Sequence, residues 1–342
     1  MDSKEFYIDI PNEFTAHKPM EPRDHSKLLV ASASQPVNSI LHDKFYNLVN
    51  YLPENALLVR NITKVDASMY FLRKKTGGKV ELLVLNQVGT RAEALIKGKN
   101  LKAGDLLFSD QIPVFKLVSD PLKGEVKLEM LSDANLESSK NIARVPLPPY
   151  IDRTLMPESY HKERYQSVFA RKSGSVAAPT ASLHFTEDVF HSLERKNIEW
   201  VDIELQVGRA TFSPIKTASI EEHKMHSENF VISSESVNSI KKALLDNRKI
   251  IPIGTTSMRV LEYWATQGFP ESLSGECDLF IYPGFEFKVA SGIITNFHQG
   301  NSTLICLVAA FMGLEKVKQI YKLAMAENYR FFSYGDSCLF LK

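Results

Sequence analysis

The stretch MYFLRKK-TGG-KVELLVL, from Met69 to Leu85, decides the fold of one part of the chain. Apolar and polar residues alternate on both sides of Gly77 and Gly78, as in two antiparallel strands joined by a turn. The same alternation continues in the segments RAEALIK, LLFS, VFKLVS and EVKLEML, the last of which ends at Leu131. Short strands punctuated by turns predict a small antiparallel barrel or sandwich.

The sequence around this segment alternates between helical and strand patterns. Helical periodicity is present at Glu187–Lys196, Ser236–Asn247, Ser257–Gln267 and Glu315–Asn328, and strand-like runs at Trp200–Leu205, Ile250–Ile253, Leu279–Tyr282 and Gly292–Thr295. Alternating strands and helices are typical of α/β folds. We therefore expect a barrel-like α/β catalytic domain formed by residues 1–66 and 147–342, with residues 67–146 inserted as a small antiparallel β-barrel domain.

The bulk properties are those of an ordinary globular protein. The chain has 342 residues, 44% hydrophobic and 24% charged, and a net charge of +1, so overall charge does not favour nucleic acid. No signal peptide or membrane-spanning run is expected, and Leu304–Met312 is interpreted as a buried helix. The three cysteines form no metal or disulfide pattern. We expect a cytoplasmic protein without a bound metal.

The segment GSVAAPTASLHFT, Gly174–Thr186, presents a histidine just before a helix. Its small residues allow backbone N–H groups to approach a ligand closely, and Thr186 is suited to cap the helix that follows. The alternative is a tight crossing of two chain segments. His184 is nevertheless a candidate functional residue because the start of a helix is a common place for a site.

The segment EEHKMHSE, Glu221–Glu228, contains His223 and His226 three residues apart. On a helix these two side chains would share one face. Zinc sites usually show a clear third ligand, which is absent here, so a polar substrate contact is favoured over a metal. A solvated charged loop is the alternative.

The segment IGTTSMRVLE, Ile253–Glu262, follows a strand and opens a helix. Open α/β sheets bind ligands at such a point, and a helix N-terminus favours an anionic group. Thr255, Thr256 and Ser257 offer hydroxyls, and Arg259 is a candidate partner for a carboxylate or phosphate. A plain capped helix is the alternative.

Three further segments combine polar residues, glycine and aromatic rings near strand ends. They are DLFIYPGFEFK (278–288), TNFHQGNSTL (295–304) and YRFFSYGD (329–336). Single aromatic residues usually belong to the core, but together with polar neighbours they suit the stacking of a nucleoside.

With these segments the sequence resembles the S-adenosylmethionine:tRNA ribosyltransferase-isomerase family of the queuosine pathway. The resemblance covers nearly the whole chain. Besides the motifs above, it includes HKPMEPRDHSKLLV (17–30), TGGKVELL (76–83), RVPLPPYI (144–151) and KERYQSVFA (162–170). It implies an α/β barrel-like domain with an inserted β-barrel. It also implies transfer of the ribosyl part of S-adenosylmethionine to 7-aminomethyl-7-deazaguanine in a tRNA anticodon, which gives epoxyqueuosine and releases adenine and methionine.

The implied reaction assigns candidate roles to residues of these motifs. Proton transfer points to His184, His298, His223 and His226, with the first two preferred and acid and base not distinguished. S-adenosylmethionine, used as a co-substrate, would contact Thr255, Thr256, Ser257, Arg259, Phe185, Tyr282, Phe297 and Tyr334. The tRNA substrate would contact Arg23, Lys27, Asn61, Arg164, Gln206 and Asn296. We expect a monomer.

Several positions differ from the family pattern. Asn61-Ile62-Thr63 replaces Asn-Asp-Thr, Ser182 replaces Gly, and the usual histidine is Gln206 in a segment that also differs at Arg209 and Ala210. Gln299-Gly300-Asn301 replaces Leu-Pro-Lys after His298. Two alternatives therefore stay open at this point. One is a paralogue that uses S-adenosylmethionine with a different acceptor, and the other is an inactive RNA- or nucleoside-binding protein.

Overall fold

The alternating segments between Met69 and Leu131 close into a barrel in the computed structural model, which describes residues 1–131, 142–208 and 214–342. Within these ranges the strands are β1 Lys27–Ser32, β2 Leu41–Lys44, β3 Leu57–Asn61, β4 Thr63–Val65, β5 Ser68–Lys74, β6 Lys79–Val88, β7 Arg91–Lys97, β8 Leu106–Ser109, β9 Ile112–Leu117, β10 Glu125–Met130, β11 Lys172–Ser175, β12 Glu199–Leu205, β13 Glu228–Ile232, β14 Ile250–Ile253, β15 Leu273–Cys277, β16 Gly292–Asn296 and β17 Ser337–Leu341. The helices are α1 Glu158–Arg164, α2 Glu187–Arg195, α3 Ser234–Leu245, α4 Gly254–Thr266, α5 Thr303–Met312 and α6 Leu314–Ala326.

The barrel consists of β10-β7-β6-β5-β8-β9, paired in that order and closed. Alternate residues fill its interior, among them Tyr70 and Leu72 of β5 and Val80 and Leu82 of β6. The turn between β5 and β6 needs a residue with positive φ, and Gly77 provides it at φ +85°. The predicted antiparallel barrel is therefore confirmed, because local alternation and turn chemistry agree with the closed structure.

The larger unit is built on a mixed sheet with the order β15-β13-β12-β3-β14-β16-β17-β1-β2. Strands β12, β3, β14 and β16 are mutually parallel, whereas β17 runs antiparallel to β16. In the described part of the chain this sheet keeps two edge strands, β2 and β15. The predicted α/β class is confirmed, and the carboxyl ends of β3, β14 and β16 lie along one edge of the sheet.

Apolar clusters cover both faces of this sheet. Helices α5 and α6 pack on one side with Ile293 and Phe340, and α2 packs with Leu58 and Ile294. The predicted buried helix at Leu304–Met312 is confirmed as α5, capped by Ser302, whose Oγ accepts from the Ile305 N–H at 3.3 Å. No helix of the described residues is long and apolar enough to cross a bilayer.

One strand prediction is wrong. Leu279–Tyr282 is irregular, and the strand of this region is β15, at Leu273–Cys277. The reason is tertiary, since the Arg259 guanidinium donates to the carbonyl oxygens of Cys277 and Leu279 at 3.2 and 3.1 Å. The Leu279 carbonyl therefore binds a side chain, and the strand ends at Cys277.

Two segments connect the barrel with the larger unit. They pair where Met69 and Arg144 exchange backbone hydrogen bonds of 2.9 and 2.8 Å. All six barrel strands lie between Ser68 and Met130, within the predicted insert of residues 67–146. The domain limits at 66/67 and 146/147 stay a prediction, and part of the insert lies outside the described residues.

Candidate active site

His184 ends a short 3-10 turn, Thr180–His184, that precedes helix α2. Its Nδ1 lies 2.8 Å from the Ser26 Oγ, and its Nε2 lies 3.2 Å from the Asn296 Nδ2. The capping residue Thr186 accepts from the Val189 N–H and donates to Asp24, so both sides of the turn are fixed. The sequence therefore positions this imidazole between the beginning of β1 and the end of β16.

The partners of His184 define its tautomer. The Asn296 amide donates to the imidazole Nε2 and also to the Phe332 carbonyl oxygen, at 3.1 Å. Because Nε2 accepts, the ring proton is assigned to Nδ1, which donates to Ser26. Among the described residues the buried Asn296 Oδ1 has no hydrogen-bond partner. An acceptor is thus left for a ligand beside the ring.

His298 lies close to the same strand end. Its Nε2 is 2.7 Å from the Thr295 Oγ1, and its backbone N–H donates to the Tyr321 hydroxyl at 2.7 Å. A small cavity of about 20 Å³ is lined by His298, Asn296, Tyr150 and Ser333. The Tyr150 hydroxyl and the Ser333 hydroxyl are 2.6 Å apart. One imidazole, an amide and two hydroxyls therefore line one cavity, and the amide of Asn296 links this cavity to His184.

Burial keeps both imidazoles neutral. Desolvation, together with the charges of Arg330 and Arg23, lowers the pKa of His184 to about 3. Desolvation alone lowers the pKa of His298 to about 3. Burial raises the pKa of Tyr150 to about 12, so that its hydroxyl keeps its proton. At neutral pH this cluster can accept a proton at a ring nitrogen and donate hydrogen bonds from neutral groups.

A larger cleft of about 780 Å³ adjoins the small cavity. Pro149 and Ile151 line the cleft, whereas Tyr150 between them lines the small cavity. Barrel residues such as Phe71 form the opposite wall of the cleft. Its volume is in the range of small-molecule sites, roughly 300–1,000 Å³. The cleft is therefore large enough for a nucleoside-sized ligand beside the polar cluster.

The family is shown by comparison with known proteins. The family model described as queuosine biosynthesis protein matches residues 3–340. The chain belongs to this family. It is 42% identical to the S-adenosylmethionine:tRNA ribosyltransferase-isomerase of Thermosipho melanesiensis, over 99% of both chains. It is 40% identical to the protein of the same name from Carboxydothermus hydrogenoformans, over 100% of both.

A solved structure shares the fold. The S-adenosylmethionine tRNA ribosyltransferase of Thermotoga maritima matches with a TM-score of 0.57 and 29% sequence identity, covering 98% of this chain and 100% of that one. The fold of this chain is thus shared with that ribosyltransferase.

The family segment at the start of α4 is buried. Thr255, Thr256 and Ser257 are at most 6% exposed, and the Ser257 Oγ donates to the Ile253 carbonyl oxygen at 2.9 Å. Arg259 is fully engaged with Glu228 and with two backbone carbonyls. The contacts give Arg259 a structural partner, and its predicted role with a ligand anion stays a prediction.

The predicted stacking residues have different surroundings. Phe185 is fully buried among Phe45, Phe169 and Phe190, in the core beneath α2. Phe297 lines the small cavity. Ligand stacking stays a prediction for both rings, and the contacts favour Phe297.

The two remaining aromatic candidates belong to different apolar clusters. Tyr334 is buried and stacks on His161, with an interplanar angle of 9°. Tyr282 is partly exposed and packs against Phe280. Their predicted contacts with the co-substrate also stay predictions.

His223 and His226 are not on a helix. His223 follows a 3-10 turn and packs against Phe280, whereas His226 is exposed and lines the large cleft. Burial lowers the pKa of His223, and the nearby His226 lowers it further. In the described ranges no group of three or more acidic, histidine or cysteine side chains could hold a metal ion. His226 thus lines the large cleft, whereas His298 lines the small cavity.

The predicted RNA-binding cations are tied to the protein. Arg23 donates to the Gln166 carbonyl oxygen at 2.9 Å, and Arg164 donates to Glu21 and Met20. Lys27 caps the end of α6 by donating to the Glu327 carbonyl oxygen at 2.6 Å. Their predicted contacts with tRNA stay untested, and each has an intramolecular role.

Asn61 and Gln206 lie at the ends of β3 and β12. Asn61 is fully buried, and its amide donates to the Leu205 carbonyl oxygen while its Oδ1 accepts from the Leu205 and Thr63 N–H groups. Gln206 is exposed, and its Oε1 is 3.4 Å from the Asn229 amide. Asn61 therefore links two strands, and Gln206 is accessible.

The departures from the family pattern have local explanations where the structure describes them. Ile62 is buried in the core, where a carboxylate would need a partner. A side chain at Gly300 would collide with the backbone of Ile8. Ser182 is buried, and its Oγ has no hydrogen-bond partner among the described residues. Arg209 and Ala210 lie outside the described residues.

Three residues of the cluster were not nominated from the sequence. They are Ser26, Tyr150 and Ser333, from the motifs DHSKLLV, PPYI and FFSYGD. Each of these hydroxyl groups lies within a motif that carries the family resemblance. Their membership of these motifs is the sequence signal that points to them. The sequence does not show that these hydroxyl groups are in contact, because Tyr150 and Ser333 are 183 residues apart in the chain.

Proposed function

We propose that this protein is an S-adenosylmethionine:tRNA ribosyltransferase-isomerase that acts on 7-aminomethyl-7-deazaguanine in a tRNA anticodon. The observation that supports it most is the unpartnered Oδ1 of the buried Asn296, which lines the small cavity and whose amide contacts the neutral His184. The full-length similarity to enzymes with this name favours the tRNA reaction over a different acceptor and over an inactive binding protein.

The electrostatics leave no charged acid at neutral pH, so the two histidines are restricted to accepting a proton or to hydrogen bonding. A proton next to the sulfonium of S-adenosylmethionine has to be removed, and a neutral imidazole can accept it. In His184 the other ring nitrogen, Nδ1, donates to the Ser26 hydroxyl, and this bond orients the ring. The bond between His184 and Asn296, at 3.2 Å, is at the long end of the hydrogen-bond range, so that a substrate can replace it.

The departing adenine needs hydrogen-bond donors rather than a charged acid. With pKa values near 3, His184 and His298 hold no extra proton at neutral pH, and a sulfonium nearby would lower those values further. The Tyr150–Ser333 pair keeps its protons and lines the same cavity. We therefore assign hydrogen bonding of adenine to this pair and proton removal to one of the imidazoles.

The site has to open for the reaction. The small cavity of about 20 Å³ is too small for an adenine base, whereas the adjoining cleft is not. The segment around Tyr150 separates the two. Movement of this segment would join cavity and cleft, with the co-substrate in the cleft and its reacting centre at the polar cluster.

Adenine release tests the proposal. The protein is incubated with S-adenosylmethionine and tRNA that contains the aminomethyl base, with unmodified tRNA as the control. We expect adenine in solution and a matching mass gain on the modified tRNA only. Release with small acceptors but not with tRNA would show a different acceptor, and no release with any acceptor would refute the proposal.

A further inference from the structure

The barrel wall of the large cleft has an exposed aromatic side chain, Phe71, which is 53% exposed. Along β5 the side chains of Tyr70 and Leu72 point into the barrel, so Phe71 and Arg73 lie on its outer face. A large exposed ring on a cleft next to a polar cluster is typical of a binding surface rather than of a folded core.

One face of the Phe71 ring is covered by a fixed cation. The Arg153 guanidinium carbon lies 5.1 Å from the ring centroid. Arg153 is held in place, since it donates to the Val145 carbonyl oxygen at 2.9 Å and pairs with Glu158 at 3.5 Å. More than half of the Phe71 side chain still faces solvent. The ring is therefore a preorganised stacking surface.

The same outer face is rich in cations. Arg73 lies opposite Lys79 in the pairing of β5 with β6, and Lys97 lies opposite Glu81 in the pairing of β6 with β7. Arg73, Lys79 and Lys97 are exposed, and Glu81 pairs with Lys97 at 3.6 Å. With Arg153 and its partner Glu158, and with Asp152 in the wall of the cleft, four cations lie with three acidic groups, so the local charge is positive. Such a balance favours a polyanion.

We propose that this surface, the Phe71 platform of Phe71, Arg73, Lys79, Lys97 and Arg153, binds single-stranded RNA next to the reacting nucleotide. An unpaired base stacks on the Phe71 ring, and the cations meet backbone phosphates. The inference rests on the proposed function, which supplies the RNA. The adenine of S-adenosylmethionine has the same stacking chemistry, but its cationic sulfonium makes it the weaker candidate here.

RNA affinity of matched variants tests the platform. A labelled anticodon stem-loop with the aminomethyl base is titrated with the wild type, Phe71→Ala, Phe71→Trp and Ile112→Ala. Ile112 is a comparable control, 50% exposed on β9 of the same barrel. We expect Phe71→Ala to weaken binding about tenfold, while Phe71→Trp and Ile112→Ala bind within about twofold of the wild type.

The charges have their own measurement. The double variant Arg73→Gln, Lys79→Gln is expected to reduce the slope of log affinity against log salt by up to about 2, because each lost phosphate contact accounts for about 1. A slope equal to that of the wild type would overturn the phosphate contacts.

Two further outcomes overturn the platform. One is equal RNA affinity of Phe71→Ala and the wild type, and the other is a higher KM for S-adenosylmethionine with RNA affinity unchanged, which would assign the ring to adenine. The RNA and salt titrations need no turnover, whereas the KM does. A wild type that binds the RNA but releases no adenine would therefore refute the proposed function and leave the platform to be decided by the affinities.

Discussion

Two buried asparagines end parallel strands at the same edge of the sheet, and their surroundings differ. Asn61 at the end of β3 uses its amide and its carbonyl oxygen fully within the protein. Asn296 at the end of β16 donates twice, but its Oδ1 has no partner in the described part of the chain. Buried polar groups are normally satisfied, so the unsatisfied one marks the place for a ligand.

The buried charged residues and the buried imidazoles differ in the same way, since the former are satisfied within the protein and the latter lie next to a group without a partner. Arg259 and Glu228 neutralise each other, and Glu228 also accepts from the Gly208 N–H at 2.7 Å. His184 and His298 are neutral; His298 borders the small cavity, and His184 contacts Asn296, which also lines it. All four residues lie in the sequence motifs, but Arg259 and Glu228 form a structural ion pair, whereas His184 and His298 are assigned to the reaction.

The largest effect is expected from breaking the ion pair. Glu228→Ala leaves the Arg259 charge buried without its partner, which should cost about 3–5 kcal/mol in the free energy of unfolding. Chemical denaturation measures it. Glu204→Ala is the control, because Glu204 pairs with Lys172 at 3.6 Å near the surface and should cost under about 1 kcal/mol. Equal losses would show that Arg259 does not depend on Glu228.

The two asparagines can be compared directly. Asn296→Ala removes the group that fixes the His184 tautomer and should slow adenine release about 10²-fold, in the range for a misplaced proton-transfer group. Asn61→Ala should lower the free energy of unfolding by about 1–3 kcal/mol and leave the rate of the folded enzyme unchanged. Single-turnover adenine release and denaturation give both values. A slower rate in Asn61→Ala alone would reverse the assignment.

Acidification should destabilise the protein through the buried imidazoles. Their pKa values of about 3 lie below the ordinary 6.5, so the unfolded chain binds more protons than the folded protein between these values. The free energy of unfolding is therefore not reduced by these rings above pH 6.5. It falls as the pH drops below 6.5, by roughly 2 kcal/mol per ring at pH 5.

Histidine variants separate this effect from general acid denaturation. His184→Gln should remove roughly 2 kcal/mol of the loss in the free energy of unfolding between pH 7 and pH 5. Denaturation at a series of pH values measures it. An unchanged slope in His184→Gln would mean that the ring titrates normally.

Local patterns predicted the fold better than the site. The barrel follows from alternation and turns within about sixty residues, and α5 from its apolar run. The strand prediction at Leu279–Tyr282 is wrong because the Leu279 carbonyl oxygen accepts a hydrogen bond from Arg259 on helix α4, which no local pattern shows. His184 could be found because small residues and a helix cap surround it. Tyr150 and Ser333 could not, because only the tertiary fold brings their hydroxyls together.

The Arg259 interpretation shows a second limit of sequence patterns. A strand, a glycine, hydroxyls and an arginine at a helix start are typical of an anion site. The partner Glu228 lies on another strand, and its carboxylate occupies the guanidinium. Composition within the motif could not reveal that the charge was already neutralised.

Single-turnover adenine release by His184→Gln, with His191→Gln as control and modified tRNA as acceptor, tests the central assignment most directly. We expect the rate of His184→Gln to be lower by about 10²–10⁴-fold and the rate of His191→Gln to be unchanged. Circular dichroism should show that His184→Gln is folded. A rate within about twofold of the wild type for folded His184→Gln would contradict it.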